Sequence, residues 1–197
     1  MTNAKSLPQG LYLIRHGETD WSPSYRHAGR TDIPLTAQGE QDAIALGEKL
    51  RSIPFAHVYT SPLQRARRTC ELVGLSPKAE IEPDLMELNY GAYEGLHSAE
   101  IYKTRPDWNV FRDGSPSGEM SQQISDRADR LITHFRKLDG NTALFSHCQF
   151  GCAVAARWIG LPVIDGQHFT LNTTSLSVLG YAPDHADTPV IALWNWN

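Results

Sequence analysis

A short apolar run, Leu11-Tyr-Leu-Ile14, passes without a spacer into Arg15, His16 and Gly17. Four apolar residues bounded by a turn signal read as a buried strand. Gly17 lets the backbone turn sharply after it. A guanidinium and an imidazole therefore stand together at the carboxyl end of a strand, the edge at which open α/β sheets bind ligands. Any fold for this chain must bury the run and leave that edge open. A second stretch repeats the pattern: Thr142-Ala-Leu-Phe-Ser146 is followed at once by His147.

Between the two lie further strand and helix signals. Thr36 caps a helix expected to run to about Ile53, and Pro54 stops it. His57–Ser61 alternates like a strand. Ser61-Pro62 reads as an N-cap and first helical residue, with Leu63, Ala66, Cys70 and Val73 as the buried stripe and Gly74 as the stop. Arg65, Arg67 and Arg68 fall near the start of that helix, where free N–H groups and the dipole favour an anion. Ala79–Glu82 is a short strand. In Asp84–Gly95, Glu87 stands beside Leu85, Met86 and Leu88, and partial burial there favours the protonated, acid form. Ser98–Thr104 is a brief helix, Arg105–Gly118 a loop and Ser121–Leu138 the clearest helix. Phe150–Ile159 is a small-residue helix. Ser175–Ala182 and Pro189–Asn195 are two closing strands, paired antiparallel at an edge. Strands alternating with helices predict an α/β fold, a three-layer sandwich whose central sheet is mostly parallel.

The 197 residues suit one domain, 1–197, and the 41% apolar and 20% charged content suits a soluble globular protein. A net charge of −4 argues against a nucleic-acid binder but not against a local basic pocket. Met1–Gly10 lacks the apolar core of a signal peptide, and no run is long enough to span a membrane. Three cysteines, Cys70, Cys148 and Cys152, fit a reducing cytoplasm better than a disulfide framework and are too few for a structural zinc site. There is no Cys-x5-Arg, no Asp-x-Asp after a strand and no Walker loop, which removes three other phosphoryl-transfer chemistries.

Arg15, His16, Arg65, Glu87 and His147 thus follow four different strands and can converge on one pocket. Two arginines supply bidentate contacts to a phosphoryl group; two histidines and a carboxylate supply a nucleophile, electrostatic support and an acid. The chain resembles the histidine phosphatase superfamily, in the phosphoglycerate-mutase-like branch. The resemblance rests on Arg15-His16-Gly17-Glu18-Thr19, Gly29-x-x-Asp32-x-Pro34-Leu35-Thr36-x-x-Gly39, Ser61-Pro62-Leu63-x-Arg65-Ala66, Glu87-x-x-Tyr90-Gly91-x-Tyr93-Glu94-Gly95, Gly118-Glu119 and Ser146-His147, in family order along nearly the whole chain. It implies that His16 is the nucleophile and is phosphorylated in turnover. Arg15, Arg65 and His147 then hold the phosphoryl group, and Glu87 protonates the leaving oxygen and later activates water. No metal and no cofactor are implied. The substrate is a small phosphorylated molecule, contacted by Ser22, Thr31, Tyr90, Arg112 and Cys148.

The chain departs from the family pattern at Ser22, where Asn is usual, and at Cys148 and Gln149, where glycines are usual. Trp21-Ser22 and the segment Trp108-Asn-Val-Phe-Arg112-Asp113-Gly114 look most like the sedoheptulose-1,7-bisphosphatase members. That likeness points to a sugar phosphate or bisphosphate, with Arg112, Arg30 or Arg26 meeting a second phosphate; Arg112 lies on the loop Arg105–Gly118, which is expected to form a lip over the pocket. The alternatives are a phosphoglycerate mutase and a non-catalytic phospho-ligand binder. Mutases carry extra sequence before the Gly118-Glu119 region and a covering tail, so the short connection and the end at Asn197 favour hydrolysis. The binder reading would be expected to lose His16, Arg65 or Glu87.

Overall fold

The computed structural model describes residues 9–197, so the expectation for Met1–Gly10 falls almost wholly outside the described residues. The first strand, β1, is Leu11–Arg15, and every side chain from Leu11 to Ile14 is buried. Its faces alternate: Leu11 and Leu13 enter one apolar core, Tyr12 and Ile14 the other. A strand covered on both sides must be apolar throughout, which is what the run encodes.

In chain order the remaining elements are α1 (Ala37–Leu50), β2 (Phe55–Thr60), α2 (Gln64–Val73), β3 (Ala79–Ile81), α3 (Ser98–Ile101), α4 (Val110–Asp113), α5 (Ser121–Phe135), β4 (Asn141–Ser146), α6 (Cys148–Trp158), β5 (Leu176–Ala182) and β6 (His185–Trp196). The six strands form one sheet in the order β3-β2-β4-β1-β5-β6. β3, β2, β4 and β1 are parallel, while β5 runs against both β1 and β6. α1 and α2 close one face around Leu46, Leu50, Ala66 and Val73. α5 and α6 close the other around Ile124, Leu131, Phe150 and Trp158. Among the described residues no helix is long and apolar enough to cross a membrane.

The mostly parallel three-layer architecture is as expected, with local differences. Helix α2 does not start on Ser61-Pro62. Its N-cap is Leu63, which offers no side-chain cap. The carboxylate of Asp32, from the loop after β1, accepts instead from the Gln64 N–H at 2.8 Å. Ser61 is used elsewhere, as described below. Helix α6 starts two residues earlier than expected, directly after His147, which serves as its N-cap. The two closing strands pair antiparallel at one edge of the sheet as expected, with β6 outermost and β5 joined to β1. The loop Arg105–Gly118 contains the single turn α4, with Asn109 capping it by accepting from the Phe111 N–H at 2.9 Å.

Candidate active site

The ladder between parallel strands continues one residue past each strand end. The His16 N–H donates to the Ser146 carbonyl at 3.0 Å, and the Ser61 N–H to the Phe145 carbonyl at 2.9 Å. His16, Ser61 and His147 are therefore positioned by sheet register rather than by free loops. The turn at Gly17 is locked against two helices. Its N–H donates to the Thr69 hydroxyl at 2.9 Å, and a Cβ on Gly17 would lie 2.6 Å from the Gly39 carbonyl oxygen. Only glycine allows α1 to approach the turn that closely.

His16 is 5% exposed, and its Nδ1 lies 2.7 Å from the Gly17 carbonyl oxygen. A carbonyl only accepts, so Nδ1 carries the proton and Nε2 keeps its lone pair. Burial, then the Arg65 and Arg15 guanidiniums, hold the imidazole well below its usual range, against the opposing pull of the Gly17 carbonyl. His16 is thus a neutral imidazole with one free nitrogen.

Its neighbour His147 is fixed in the other tautomer. Arg65 Nε–H donates to His147 Nδ1 at 3.2 Å, so Nε2 carries the proton and donates to Ser61 Oγ at 2.8 Å. Burial, followed by Arg65 and His16, also holds His147 well below the ordinary imidazole range. The two rings are 5.1 Å apart between centroids. Arg65 gives two more donors to carbonyls, Nη1 to Thr31 at 2.9 Å and Nη2 to Gly29 at 2.8 Å, and keeps one further N–H on each Nη. The loop bearing those carbonyls is held by Glu94, whose oxygens accept from the Arg30 N–H at 2.8 Å and from the Thr31 N–H and hydroxyl at 3.2 and 2.8 Å. Glu94 therefore positions Arg65 without touching it. The Glu-Gly ending of the Tyr90 motif was the sequence signal, but nothing in its spacing shows which loop the carboxylate grips.

Glu87 is not held by apolar side chains alone. Oε1 accepts from the N–H groups of Phe150 and Leu88 at 2.8 and 3.0 Å, and Oε2 from the Gln149 N–H at 3.1 Å. The carboxylate caps the start of α6, where the dipole favours an anion. A buried ion pair supports the segment behind it. Arg127 Nε and Nη2 donate to Glu119 at 2.7 and 2.8 Å, and Arg127 Nη1 donates to the Asp84 and Met86 carbonyls at 2.8 and 2.6 Å. Arg127 is only 4% exposed. It lies three positions after Ile124 and four before Leu131, on the buried stripe of α5, and that spacing is the sequence signal for its burial.

A cavity of about 700 Å³ opens over this arrangement, lined by Arg15, His16, Arg65, Glu87, Tyr90 and Cys148 among others. Arg15 donates through Nη1 to the Leu171 carbonyl, and its buried Nε has no partner, leaving a donor that a phosphoryl oxygen can satisfy. Ser22 also lines the cavity, but its hydroxyl is 2.9 Å from that of Thr19 and accepts from the Thr19 N–H at 3.1 Å. Tyr90 is stacked on His27 at 4.5 Å, and burial raises its phenol well above the usual range. The Cys148 thiol points to the Leu171 carbonyl at 3.6 Å. Its pKa is lowered by the hydrogen bond with the Cys152 thiol, against burial.

Three expected phosphate or substrate contacts do not line the cavity: His147 is fully buried with both ring nitrogens engaged by Arg65 and Ser61, and Thr31 and Arg112 are also absent from the lining. Thr31 stands behind Arg65, with its hydroxyl given to Glu94. Arg112 is outside altogether, because Trp108 and Phe111 bury the loop against the body and Arg112 closes on its neighbours. It donates to Asp113 through Nε and Nη2 at 2.9 and 2.8 Å, and to the Asp107 carbonyl. The segment Arg105–Gly118 forms no lip, since none of its residues lines the cavity. The wall opposite the β1 loop is instead Phe169–Thr173, which precedes β5 and was not foreseen. It is pinned beside His16 by the Thr174 N–H, which donates to the His16 carbonyl at 3.1 Å. A polar run before a strand was its only sequence signal.

With that geometry in place, the comparisons with known proteins settle the family. Residues 11–197 match the model of the histidine phosphatase superfamily, branch 1. The chain belongs to that superfamily. An acid phosphatase of Mycobacterium tuberculosis is 38% identical over 175 residues, covering 87% of this chain and 86% of that protein. The sedoheptulose 1,7-bisphosphatase of Saccharomyces cerevisiae is 30% identical, covering 95% and 93%. A probable phosphoglycerate mutase of Citrobacter koseri is 35% identical, covering 87% and 84%. Among solved structures, a putative alpha-ribazole-5'-P phosphatase from Escherichia coli superposes with a TM-score of 0.81 at 28% identity, covering 94% of this chain and 95% of that one. The fold is that of the phosphoglycerate-mutase-like histidine phosphatases, and the chain is a phosphatase of that family.

Proposed function

We propose that the protein hydrolyses a small phosphorylated metabolite, a sugar phosphate or bisphosphate such as sedoheptulose 1,7-bisphosphate, through a phosphohistidine on His16 and without a metal ion, in the cytoplasm. The observation that carries this reading is the contact of His16 Nδ1 with the Gly17 carbonyl at 2.7 Å, which calls for the proton on Nδ1 and leaves Nε2 its lone pair, on a residue that lines the cavity. A neutral imidazole attacks phosphorus directly at neutral pH. Nε2 forms the N–P bond as the ester P–O bond breaks, and the leaving oxygen takes a proton from Glu87. In the second half, water attacks phosphorus, its proton passes to the Glu87 carboxylate, and the N–P bond breaks to restore His16. Arg15 and Arg65 neutralise the charge on the transferring oxygens throughout, the role that dominates phosphoryl transfer.

Labelled substrate quenched in alkali should leave an acid-labile phosphohistidine that maps to His16. His16→Ala should lose it, together with on the order of 10⁴-fold or more of turnover, and chelator should leave the wild type active. Full activity in His16→Ala, or loss to chelator restored by Mg²⁺, overturns the reading. The likeness to a probable phosphoglycerate mutase makes interconversion of 3- and 2-phosphoglycerate the control assay, in which phosphate release should dominate.

A further inference from the structure

We infer that Arg26 forms a second anion subsite at the rim of the cavity, and that it selects sugar bisphosphates over monophosphates. This deepens the phosphatase reading above and rests on it.

Three arginines were candidates for a distal phosphate, and the structure separates them. Arg112 is bound to Asp113 and lies outside the cavity. Arg30 does not line it either, and is half-buried among Arg127, Glu119, Glu87 and Glu94. Arg26 does line it. Its guanidinium lies over the Trp21 ring, 5.4 Å from the centroid, and among the described residues it forms no ion pair and no side-chain hydrogen bond. The cavity thus contains three guanidiniums, Arg15, Arg26 and Arg65. Arg65 is tied to His147 and Arg15 adjoins His16, so these two serve the reacting phosphoryl group. Arg26 is left over: the Glu100 carboxylate is near enough to feel its charge, but no ion pair or side-chain hydrogen bond ties the guanidinium among the described residues.

Its placement is not that of a loose surface side chain. Tyr25, just before it, holds φ at 56°, in the left-handed region that a bulky residue seldom adopts. Backbone strain of that kind persists where the surroundings over-determine it, and it clusters at functional sites. Here the surroundings are the Arg26 N–H to the Trp21 carbonyl at 3.2 Å, the Tyr25 N–H to the Ser22 carbonyl at 3.2 Å and a backbone bridge from Arg26 to His97. The turn that seats Ser22 in the cavity wall therefore also fixes Arg26 at its rim. A phosphate at the far end of a bound sugar meets a cation already stacked and oriented, which favours bidentate contact.

The test is kcat/KM for phosphate release from fructose 1,6-bisphosphate and sedoheptulose 1,7-bisphosphate against the monophosphate that keeps the scissile group. Wild type should prefer the bisphosphate by about 10- to 100-fold. Arg26→Ala should reduce that preference to within about threefold, Arg26→Lys should keep part of it, and a thermal melt should show both variants folded. No preference in wild type, or a preference that survives Arg26→Ala, overturns the subsite while phosphate release still upholds the phosphatase reading. If wild type releases phosphate from no ester, nitrophenyl phosphate included, the phosphatase reading fails. Calorimetric affinities of wild type and Arg26→Ala for fructose 1,6-bisphosphate and fructose 6-phosphate then decide the subsite by the same ratio.

Discussion

At the cavity floor, Arg65 is held by His147 and two carbonyls, and Glu87 by three backbone N–H groups. At the rim, Arg26 is exposed and has the Trp21 ring under its guanidinium, with the Glu100 carboxylate near but not hydrogen-bonded to it. The floor is built from strand ends, where sheet register fixes side chains to within a hydrogen bond, and burial makes every unsatisfied group costly. The rim is built from loops, whose side chains await a ligand. Chemistry common to phosphate esters belongs on the first, and discrimination between leaving groups on the second.

Glu87→Gln strikes the floor where proton transfer is needed. An amide cannot supply the proton, so hydrolysis of alkyl phosphates should fall by about 10²–10⁴-fold. Nitrophenyl phosphate, whose leaving group needs little protonation, should lose far less. Steady-state rates on the two ester classes make the comparison, and equal losses on both would make Glu87 a positioning group for α6 rather than the acid.

Protons separate the two regions in a second way. His16 at the floor and His147 buried behind Arg65 are held neutral by burial, and His27 in the wall is lowered to about 4, chiefly by burial. The unfolded chain binds a proton near pH 6.5; the folded chain refuses it until well below that. Stability from these groups is therefore complete above about pH 7 and is lost as pH falls through the window from about 6.5 to about 4. For His27 alone the loss is about 3 kcal/mol across that window. Urea unfolding at pH 7, 5.5 and 4 should show the decline, and His27→Phe, which keeps the stacking on Tyr90, should flatten it by about that amount. An unchanged slope in the variant would mean that His27 is open to solvent and belongs with the rim.

This division also explains what the sequence made legible. His16 and His147 follow apolar strands with no spacer, so sheet geometry alone brings them together, and Arg65 and Glu87 lie within a few residues of their strand ends. The supports are non-local. Asp32 caps α2 from 32 residues away, Glu94 reaches back to Thr31 across 63, and Arg127 grips Glu119 from within the otherwise apolar stripe of α5. No spacing rule encodes such contacts. The same holds for the Phe169–Thr173 wall, which is placed by β5 entering the sheet beside β1, a pairing that alternation in β5 and β6 does not reveal.

Arg112 tests the boundary of the rim with the smallest effect. Sequence resemblance put it over the substrate; the structure has it half exposed, closed on Asp113 at 2.8 Å, with Asp107 beside it at 3.6 Å. Exposed ion pairs contribute little, because water already solvates both charges and two long side chains must be ordered to meet. The fold of the loop rests on other contacts: the Trp108 indole donates to the Gly114 carbonyl at 2.8 Å, and Phe111 is buried against Gly166. Arg112→Ala should therefore shift the melting temperature by no more than about 2 °C, and should leave both kcat/KM and the bisphosphate preference within about twofold of wild type. A preference that collapses in Arg112→Ala and survives Arg26→Ala would show that the Arg105–Gly118 loop opens its ion pair and reaches the distal phosphate when substrate binds, moving the rim from the β1 loop to the far side of Tyr90.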